Sequence, residues 1–208
     1  MNLSNFMDDL RAATGAPGGG AAAAVAGAMG CALFQMVAGV TLSLPRFTEG
    51  RDKLEEIRLA SERLHTRLLA LADEDANAYR KVEAAFKMPR TTAAEKAQRR
   101  KSMQEAFTGA TESPLRTVDA CIEAMALLPG LLKYGNPNAI TDIAVGFLML
   151  DAAVCGAAMN AEINLGSIKD EEFKTASSRA LESARKQAEG HRPQLSAAME
   201  QAGLQPLK

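Results

Sequence analysis

The stretch GGGAAAAVAGAMGCALFQMVAGVTLS, from Gly18 to Ser43, decides the fold class. It contains no charged residue, and Ala, the strongest helix former, is its most frequent residue. Its small side chains allow neighbouring helices to approach closely on all sides. We therefore predict a helix from about Ala21 to Ser43, ended by Pro45, at the centre of a helical bundle.

The same stretch is long enough to be a candidate membrane span, since residues 14–45 carry no charge. However, more than half of residues 18–43 are Ala or Gly, and the polar residues Gln35 and Thr41 lie among them. A helix surrounded by other helices of the same protein has this composition too. We interpret it as a buried helix and expect no association with a membrane.

The composition of the whole chain favours an all-α protein. Its 208 residues include 40 Ala against 7 Val, 6 Ile and 9 aromatic residues, whereas β-branched and aromatic residues dominate strands. The length predicts one domain over residues 1–208. A formal charge of -1 provides no basic surface for nucleic acid. The start, MNLSNFMDDL, is acidic where a signal peptide is basic, so we expect a cytoplasmic protein.

The apolar periodicity and the helix-capping residues divide the chain into six to eight helices. The later small-residue segment, near residues 139–162, is predicted to be a second central helix. The fold expected is an all-α multi-helix bundle with two Ala/Gly-rich central helices. The predicted helices cover about residues 3–13, 21–43, 48–87, 93–111, 114–135, 139–162 and 171–189, and a short last helix begins at Pro193. The fifth of these helices is predicted to be opened by Ser113-Pro114, bent at Pro129 and capped by Gly135.

Asp75 stands where the stripe of the long third helix requires a large apolar residue. Leu68, Leu71, Ala78 and Val82 continue this stripe on either side in steps of three and four. A buried carboxylate is costly unless it is paired, protonated or faces a cavity. Asp75 is therefore a candidate catalytic group. The alternative is a core Asp that binds a backbone amide or caps a neighbouring helix.

Asp142 is the second anomalous carboxylate, because it begins the later small-residue helix. Asn160 and Asn164 lie on the same helix, and Asn160 is about 27 Å from Asp142 along the axis at 1.5 Å per residue. One helix cannot bring these residues to one site, although a dimer can. The alternative role for Asp142 is a favourable charge at a helix N-terminus.

Gly18, Gly19 and Gly20 precede a helix, where free backbone N–H groups can face an anion or a polar ring. The pattern is neither a dinucleotide-binding fingerprint nor a P-loop, so a plain flexible turn is the alternative.

The three Cys residues are far apart in apolar stretches and are expected to be buried thiols. Neither of the two His residues has a second ligand nearby, so we predict no metal site.

Five motifs of the chain occur in the order typical of one family. They are Pro17-Gly-Gly-Gly-Ala-Ala-Ala-Ala24, Asp73-Glu-Asp-Ala76, Lys87-Met-Pro89, Asn136-Pro-Asn-Ala-Ile-Thr-Asp142, and Asn160-x-x-Ile-Asn164 before Lys169-Asp-Glu-Glu-Phe173. Together they resemble the cyclodeaminase/cyclohydrolase family, which comprises the C-terminal domain of formiminotransferase-cyclodeaminase and stand-alone methenyltetrahydrofolate cyclohydrolases. The resemblance implies an all-helical homodimer that acts on a small-molecule tetrahydrofolate derivative, without a metal or a permanently bound cofactor.

The resemblance implies roles for particular residues of this chain. Asp75 and Asp142 would act as acid or base and as holder of the pterin, in either assignment. The neutral hydrogen-bonding residues would be Asn136, Asn138 and Asn164, and the glycine loop would let the substrate approach backbone amides. The family's basic run after the first central helix is replaced here by Gly39-Val-Thr-Leu-Ser-Leu-Pro-Arg-Phe47. Arg46 and Arg90 are then the candidates for the anionic glutamate tail.

The sequence thus predicts an enzyme that acts on the bridging carbon of tetrahydrofolate, either a cyclohydrolase of the methenyl compound or a cyclodeaminase of the formimino compound. The residues do not choose between the two substrates. The missing basic run favours an alternative from another class, a non-catalytic folate-binding or helical interaction module. Retention of both internal carboxylates and of the Asn-Pro-Asn turn favours the enzyme.

Overall fold

The computed structural model of the protein describes residues 2–207. The apolar stripes of the sequence lie in seven α-helices within this range. The helices are α1 (Leu3–Arg11), α2 (Gly19–Ser43), α3 (Arg51–Lys87), α4 (Ala93–Met125), α5 (Leu128–Tyr134), α6 (Ile140–Leu165) and α7 (Glu171–Gln201). A 3-10 turn, Pro137–Ala139, leads into α6. Since none of residues 2–207 is in a strand, the all-α prediction is confirmed.

Four helices form the centre of the bundle. Helix α2 packs against α3 and α6, and α4 packs against the same two helices from the opposite corner. Helix α7 covers α6 and α4, and the short α5 closes one end against α3, α6 and α7. The two small-residue helices predicted to be central, α2 and α6, are therefore neighbours within the core.

The two small-residue helices approach each other at a pair of glycines. A Cβ atom on Gly30 would lie 2.7 Å from the carbonyl oxygen of Gly146, and one on Gly146 would lie 2.9 Å from the ring of Phe34. Phe34 and Phe147 are fully buried beside this crossing. The missing side chains are thus what allows the α2 and α6 backbones to touch.

The helix predicted to start at Ser113-Pro114 does not start there, because α4 runs without a break from Ala93 to Met125. Pro114 has no N–H for the carbonyl of Ala110, one turn earlier. The side-chain amide of Asn164 on α6 donates to that carbonyl at 2.9 Å instead. The hydroxyl of Ser113 donates to the Leu71 carbonyl at 3.4 Å rather than capping a helix.

Two other predictions about proline are also wrong. Pro193 lies inside α7, which continues to Gln201, rather than opening a new helix. The buried Ala188 and Leu195 on either side of it hold this part of α7 against the bundle. Pro129 lies in the first turn of the separate helix α5 instead of bending a longer helix, a position where its missing N–H costs nothing.

Helix α2 and the segment Pro137–Leu165 are long and apolar enough to cross a membrane, by length and composition only. Both pack inside the bundle, and core helices pass the same test.

Cys31 and Cys121 are buried as expected, and burial raises the pKa of Cys31 to about 12. Cys155 is exposed on α6, so the expectation of burial is wrong there.

Candidate functional site

A cavity of about 330 Å³ opens where the N-terminus of α2, the middle of α3 and the C-terminal half of α6 meet. This volume is within the range of small-molecule sites. Backbone of the glycine loop, one carboxylate, two side-chain amides and an apolar wall surround it. The lining residues are Gly15, Gly18, Gly19, Gly20, Asp75, Tyr79, Val82, Phe107, Ala110, Asn160, Ile163 and Asn164.

Asp75 lies directly over the N-terminus of α2. A Cβ atom on Gly20 would be 2.6 Å from the carboxyl carbon of Asp75, so the absence of a side chain at Gly20 lets the carboxylate approach. Burial raises the pKa of Asp75, and the backbone N–H of Ala21 offsets part of that rise. Within residues 2–207 no basic side chain pairs with Asp75. Its pKa is therefore displaced toward neutrality, as acid–base chemistry requires.

The position of Asp75 is consistent with both interpretations of this residue, a catalytic group and a core Asp that caps a neighbouring helix. The carboxylate faces the amides at the start of α2, as a capping residue does, and it also lines the cavity. Gly18, the residue before α2, has no side chain to cap that helix. A carboxylate that is half-buried, without a basic partner and open to a cavity is a costly cap. That cost is consistent with a functional role.

The glycine loop forms the wall of the cavity that faces α6. Gly18 precedes α2, while Gly19 and Gly20 form its first turn. A Cβ atom on Gly19 would lie 3.3 Å from the side-chain nitrogen of Asn160. The loop and the amide of Asn160 are therefore in contact, and the three predicted glycines do line the same cavity as Asp75.

Asn160 and Asn164 lie one helical turn apart on the cavity side of α6. The side-chain nitrogen of Asn160 donates to the Gly156 carbonyl at 2.8 Å, and that of Asn164 donates to the Ala110 carbonyl. Each amide thus uses one N–H on protein and keeps its second N–H and its oxygen. Asn160 was not among the predicted site residues, although its spacing of four from Asn164 is the signal that identifies it.

An apolar wall of the cavity was also missed. Tyr79 and Val82 follow Asp75 by one and two turns along α3, and Phe107 faces them from α4. Phe107 packs edge-to-face on Phe86, with ring centroids 6.0 Å apart. The continuing stripe of α3 was the available signal, but the sequence did not show that α4 faces it. Aromatic and aliphatic walls of this kind suit a flat heteroaromatic ring.

Four of the predicted site residues lie at the other end of the bundle. Asp142 is in the first turn of α6, about 27 Å along the helix from Asn160. Asn136 is buried, and its side-chain oxygen accepts from the backbone N–H of Asn138 at 3.1 Å. Arg46 is exposed, with its guanidinium 5.0 Å from the ring of Phe47. Within one chain these residues do not reach the cavity around Asp75.

Comparison with known proteins places this chain and its fold in a family. The model of the formiminotransferase-cyclodeaminase family matches residues 2–183. The chain belongs to this family. Methenyltetrahydrofolate cyclohydrolase of Methylorubrum extorquens is 34% identical over 86% of each chain. The resemblance inferred from the five motifs is thereby confirmed.

Two further relatives cover different shares of their own length. Formimidoyltransferase-cyclodeaminase of Gallus gallus is 32% identical, and the match spans 86% of this chain but only 33% of that protein. The solved structure of formiminotetrahydrofolate cyclodeaminase from Thermotoga maritima superposes with a TM-score of 0.86, covering 98% of both chains at 28% identity. The helical bundle is thus the fold shared by this part of the family.

The arginine side chain nearest the aromatic wall of the cavity is neither of the two predicted to bind the glutamate tail. Arg90 is exposed between α3 and α4 and does not line the cavity. Arg99 lies closer, with its guanidinium 5.9 Å from the Phe86 ring and bonded to the Phe86 carbonyl at 3.3 Å. Its Nε is buried without a hydrogen-bond partner. Arg99 belongs to the basic segment Lys96-Ala-Gln-Arg-Arg-Lys101, and such a segment on a helix is usually solvated.

The contact between Asn164 and Ala110 leads to a stability prediction. Asn164→Ala is expected to lower the free energy of unfolding by about 1–3 kcal/mol, because the Ala110 carbonyl is then buried without a donor. In a Pro114→Ala background the new backbone N–H can bond Ala110, so the same substitution should cost less. Urea titration of the four proteins measures this coupling. If Asn164→Ala lowers the free energy of unfolding equally in both backgrounds, the Asn164 side chain does not replace the N–H that Pro114 lacks.

Within residues 2–207 no group of three or more His, Cys, Asp or Glu side chains is placed to hold a metal ion. The polar groups around the cavity are instead one carboxylate, two amides, the Tyr79 hydroxyl and backbone groups. Such a set binds an uncharged or cationic polar ring by hydrogen bonds. What it can do chemically depends on the single carboxylate that it contains.

Proposed function

We propose that this chain is a folate one-carbon enzyme that acts on the bridging carbon of a tetrahydrofolate derivative. The observation that carries the proposal is Asp75, a half-buried carboxylate without a basic partner in the wall of a ligand-sized cavity. Relatives named as methenyltetrahydrofolate cyclohydrolase and formiminotetrahydrofolate cyclodeaminase match nearly the same length of chain. Their names support the substrate class.

For hydrolysis of the methenyl compound, Asp75 would act as a general base. The bridging carbon is an electron-poor amidinium carbon, and a water molecule attacks it while the carboxylate takes a proton from that water. The carbon–N5 bond then breaks as Asp75 returns the proton to N5. The hydroxyl group of the adduct loses its own proton to solvent, so that the carbon remains on N10 as a formyl group. The negative charge of the carboxylate also attracts the positively charged amidinium into the cavity.

For deamination of the formimino compound, the same residue would act as a general acid. N10 attacks the formimino carbon and loses its proton to solvent. The bond from that carbon to its amino nitrogen then breaks, and protonated Asp75 gives a proton to the departing ammonia. A carboxyl group whose pKa is raised by burial can serve in either role near neutral pH. The match to a cyclohydrolase over 86% of both chains favours hydrolysis, and the match to a solved cyclodeaminase favours deamination.

The surroundings of Asp75 would hold the substrate. The flat pterin would lie against Tyr79 and Phe107, with its N–H and exocyclic amine directed to polar groups of the cavity. Arg99, beyond Phe107, is better placed for the anionic glutamate tail than Arg46 or Arg90. We also propose a cytoplasmic enzyme that functions as a homodimer without a resident cofactor or metal.

Ultraviolet absorbance tests this proposal with both substrates. Hydrolysis removes the near-ultraviolet band of methenyltetrahydrofolate, whereas deamination of formiminotetrahydrofolate produces that band. We expect the purified protein to accelerate one of these changes well above the uncatalysed rate. If neither change is accelerated, the enzyme proposal is wrong, and the non-catalytic module is the remaining function.

A further inference from the structure

Each reaction of the proposed function releases a proton that Asp75 does not take. In hydrolysis, Asp75 carries one proton from the attacking water to N5, while the hydroxyl group of the adduct loses a second proton. In deamination, N10 loses a proton while Asp75 gives its own to ammonia. Since one carboxyl group carries one proton at a time, the second proton needs another route out of the cavity.

Tyr79 is the second proton-exchanging side chain of this cavity. Of the described residues that line it, only Asp75 and Tyr79 have a side-chain oxygen that can both give and take a proton. Tyr79 follows Asp75 by four residues on α3, so their Cβ atoms are about 6 Å apart on the same side of the helix. The carboxyl group and the hydroxyl group can therefore contact the same bound substrate.

The hydroxyl group of Tyr79 lies against the backbone of Gly15. A Cβ atom on Gly15 would be 2.7 Å from the Tyr79 oxygen, so the absence of a side chain at Gly15 gives the hydroxyl its place. Gly15 has a φ of 77°, in the left-handed region that favours glycine. Since Gly15 also lines the cavity, this loop holds the hydroxyl group at the cavity wall.

The Tyr79 hydroxyl has no hydrogen bond to another group of residues 2–207. A phenol has one O–H to donate and lone pairs to accept. Both capacities of Tyr79 are therefore available to a ligand and to water. Its side chain is 45% exposed, so water reaches it from outside the bundle.

A second opening lies on the other side of Tyr79, between α1 and α3. It has a volume of about 410 Å³, and we call it the α1–α3 cleft. Among residues 2–207, Tyr79 is the one that lines both this cleft and the cavity around Asp75. The cleft is mostly polar, and its exposed carboxylates can accept a proton from water. Its lining residues are Asp9, Thr14, Ala16, Pro17, Tyr79, Arg80 and Glu83.

A substrate bound in the cavity would close the other routes for the second proton. The ligand displaces water from the cavity that it fills. Val82, Phe107 and Ile163 line other parts of the wall, and their apolar side chains cannot carry a proton. The hydroxyl group of Tyr79 is thus the group that connects the reacting atoms with the water of the α1–α3 cleft.

We propose that the hydroxyl group of Tyr79 relays this second proton from the reacting atoms to water in the α1–α3 cleft, a role that rests on the proposed folate chemistry. In hydrolysis the hydroxyl group of the adduct gives its proton to the Tyr79 oxygen, and the Tyr79 O–H gives its own proton to water. The carbonyl bond of the formyl group forms as the carbon–N5 bond breaks and Asp75 protonates N5. Tyr79 is again a neutral phenol, and rotation of its new O–H toward the cleft resets it.

The same route serves deamination. N10 gives its proton to the Tyr79 oxygen after it attacks the formimino carbon, and the Tyr79 O–H releases a proton to the cleft. In hydrolysis the methenyl substrate carries one positive charge and the formyl product carries none. The proton that leaves through Tyr79 accounts for this difference.

Tyr79→Phe tests the relay because it removes the hydroxyl oxygen and keeps the ring. We expect kcat to fall about tenfold, since the second proton then waits for a water molecule that reaches the reacting atoms. KM should change little because the aromatic wall is retained. Tyr134→Phe is the matched control, since Tyr134 is the other Tyr of the chain and lines neither the cavity nor the cleft. It should keep the wild-type kcat.

Added imidazole distinguishes a relay from a hydroxyl group that only positions the substrate. Imidazole is a small base that can take the second proton in place of the missing hydroxyl group. At constant pH and ionic strength, and after subtraction of the rate without protein, it should restore most of the lost kcat of Tyr79→Phe and leave the wild type unchanged. A Tyr79→Phe protein that keeps its kcat, or whose reduced kcat does not respond to imidazole, would overturn the relay.

A failure of the relay is distinguishable from a failure of the proposed function. If the wild-type protein acts on neither folate substrate, the proposed function is wrong and the relay falls with it. If the wild type is active and Tyr79→Phe is equally active, the function stands and only the relay falls. Circular dichroism of both variants establishes that they are folded before their kinetics are compared.

Discussion

Replacement of Asp75 by Asn is expected to lower turnover by about a hundredfold or more, while the free energy of unfolding at neutral pH holds or rises. Asn preserves the shape of the side chain over the start of α2, so packing changes little. The substitution removes a charge that is half-buried and has no basic partner within residues 2–207. Absorbance kinetics and urea titration of the same preparation measure the two quantities.

Asp73→Asn is the matched control for this prediction. Asp73 is two residues away on the same helix and is exposed, so both turnover and stability should change little. A purely structural Asp75 would give the opposite pattern to the one expected, with reduced stability and full turnover. That outcome would remove Asp75 from the chemistry and with it the general acid–base mechanism.

The pH dependence of turnover follows from the direction of the Asp75 shift. Burial raises the pKa of this carboxyl group, so it loses its proton above the ordinary Asp value of about 3.9. Hydrolysis requires the carboxylate, and its rate should fall as the pH decreases through the raised pKa. Deamination requires the acid, and its rate should fall as the pH increases through it. Ionisation of this half-buried carboxyl group costs stability, so the free energy of unfolding should fall as the pH rises from the ordinary Asp pKa of about 3.9 through the raised pKa, and this fall should be absent in Asp75→Asn.

The sequence was sufficient for the features that depend on periodicity within one helix. The uncharged stretch of α2 predicted a central helix, and the regular stripe of α3 made Asp75 conspicuous as a residue out of place. The helix boundaries predicted at Pro114 and Pro193 were wrong, because both prolines lie inside longer helices. The carbonyl that Pro114 leaves without a donor is satisfied by Asn164, a residue 54 positions away from Ala110, and local rules do not include such a partner.

Grouping residues into a site required the three-dimensional arrangement of the helices. Tyr79 and Phe107 share a wall of the cavity because α3 and α4 are neighbours, which no spacing along the chain predicts. The motif at Asn136 was recognised by its resemblance to a family, yet its side chain and backbone stabilise the turn before α6. A motif indicates that residues are important without showing which cavity they face.

Gly20→Ala is expected to have the second large effect, because Asp75 occupies the space that a methyl group would need. The new Cβ would lie 2.6 Å from the carboxyl carbon of Asp75, well inside van der Waals contact. Relief requires that the Asp75 side chain rotates away from the start of α2 or that α2 and α3 move apart. We expect a loss of about 1–3 kcal/mol in the free energy of unfolding from overpacking.

The same displacement should also reduce turnover. A shift of about 1 Å in a positioned group costs on the order of a hundredfold in rate, so Gly20→Ala should approach the defect of Asp75→Asn without removing any functional group. Gly109→Ala is the matched control, because a Cβ at Gly109 meets nothing within 4 Å and the residue lies outside the cavity. That variant should gain about 0.5–1 kcal/mol, as Ala does over Gly within a helix, and keep its activity.

A double substitution separates the steric explanation from a general intolerance of Ala at the start of α2. In an Asp75→Ala background the carboxyl group is absent, so the methyl group of Gly20→Ala has room. The stability cost of Gly20→Ala should then disappear, and the helical preference of Ala over Gly should turn it into a small gain. If the cost is the same in both backgrounds, contact with Asp75 is not its cause. Loss of the cost only when the carboxyl group is removed would show that Gly20 is required for the position of Asp75.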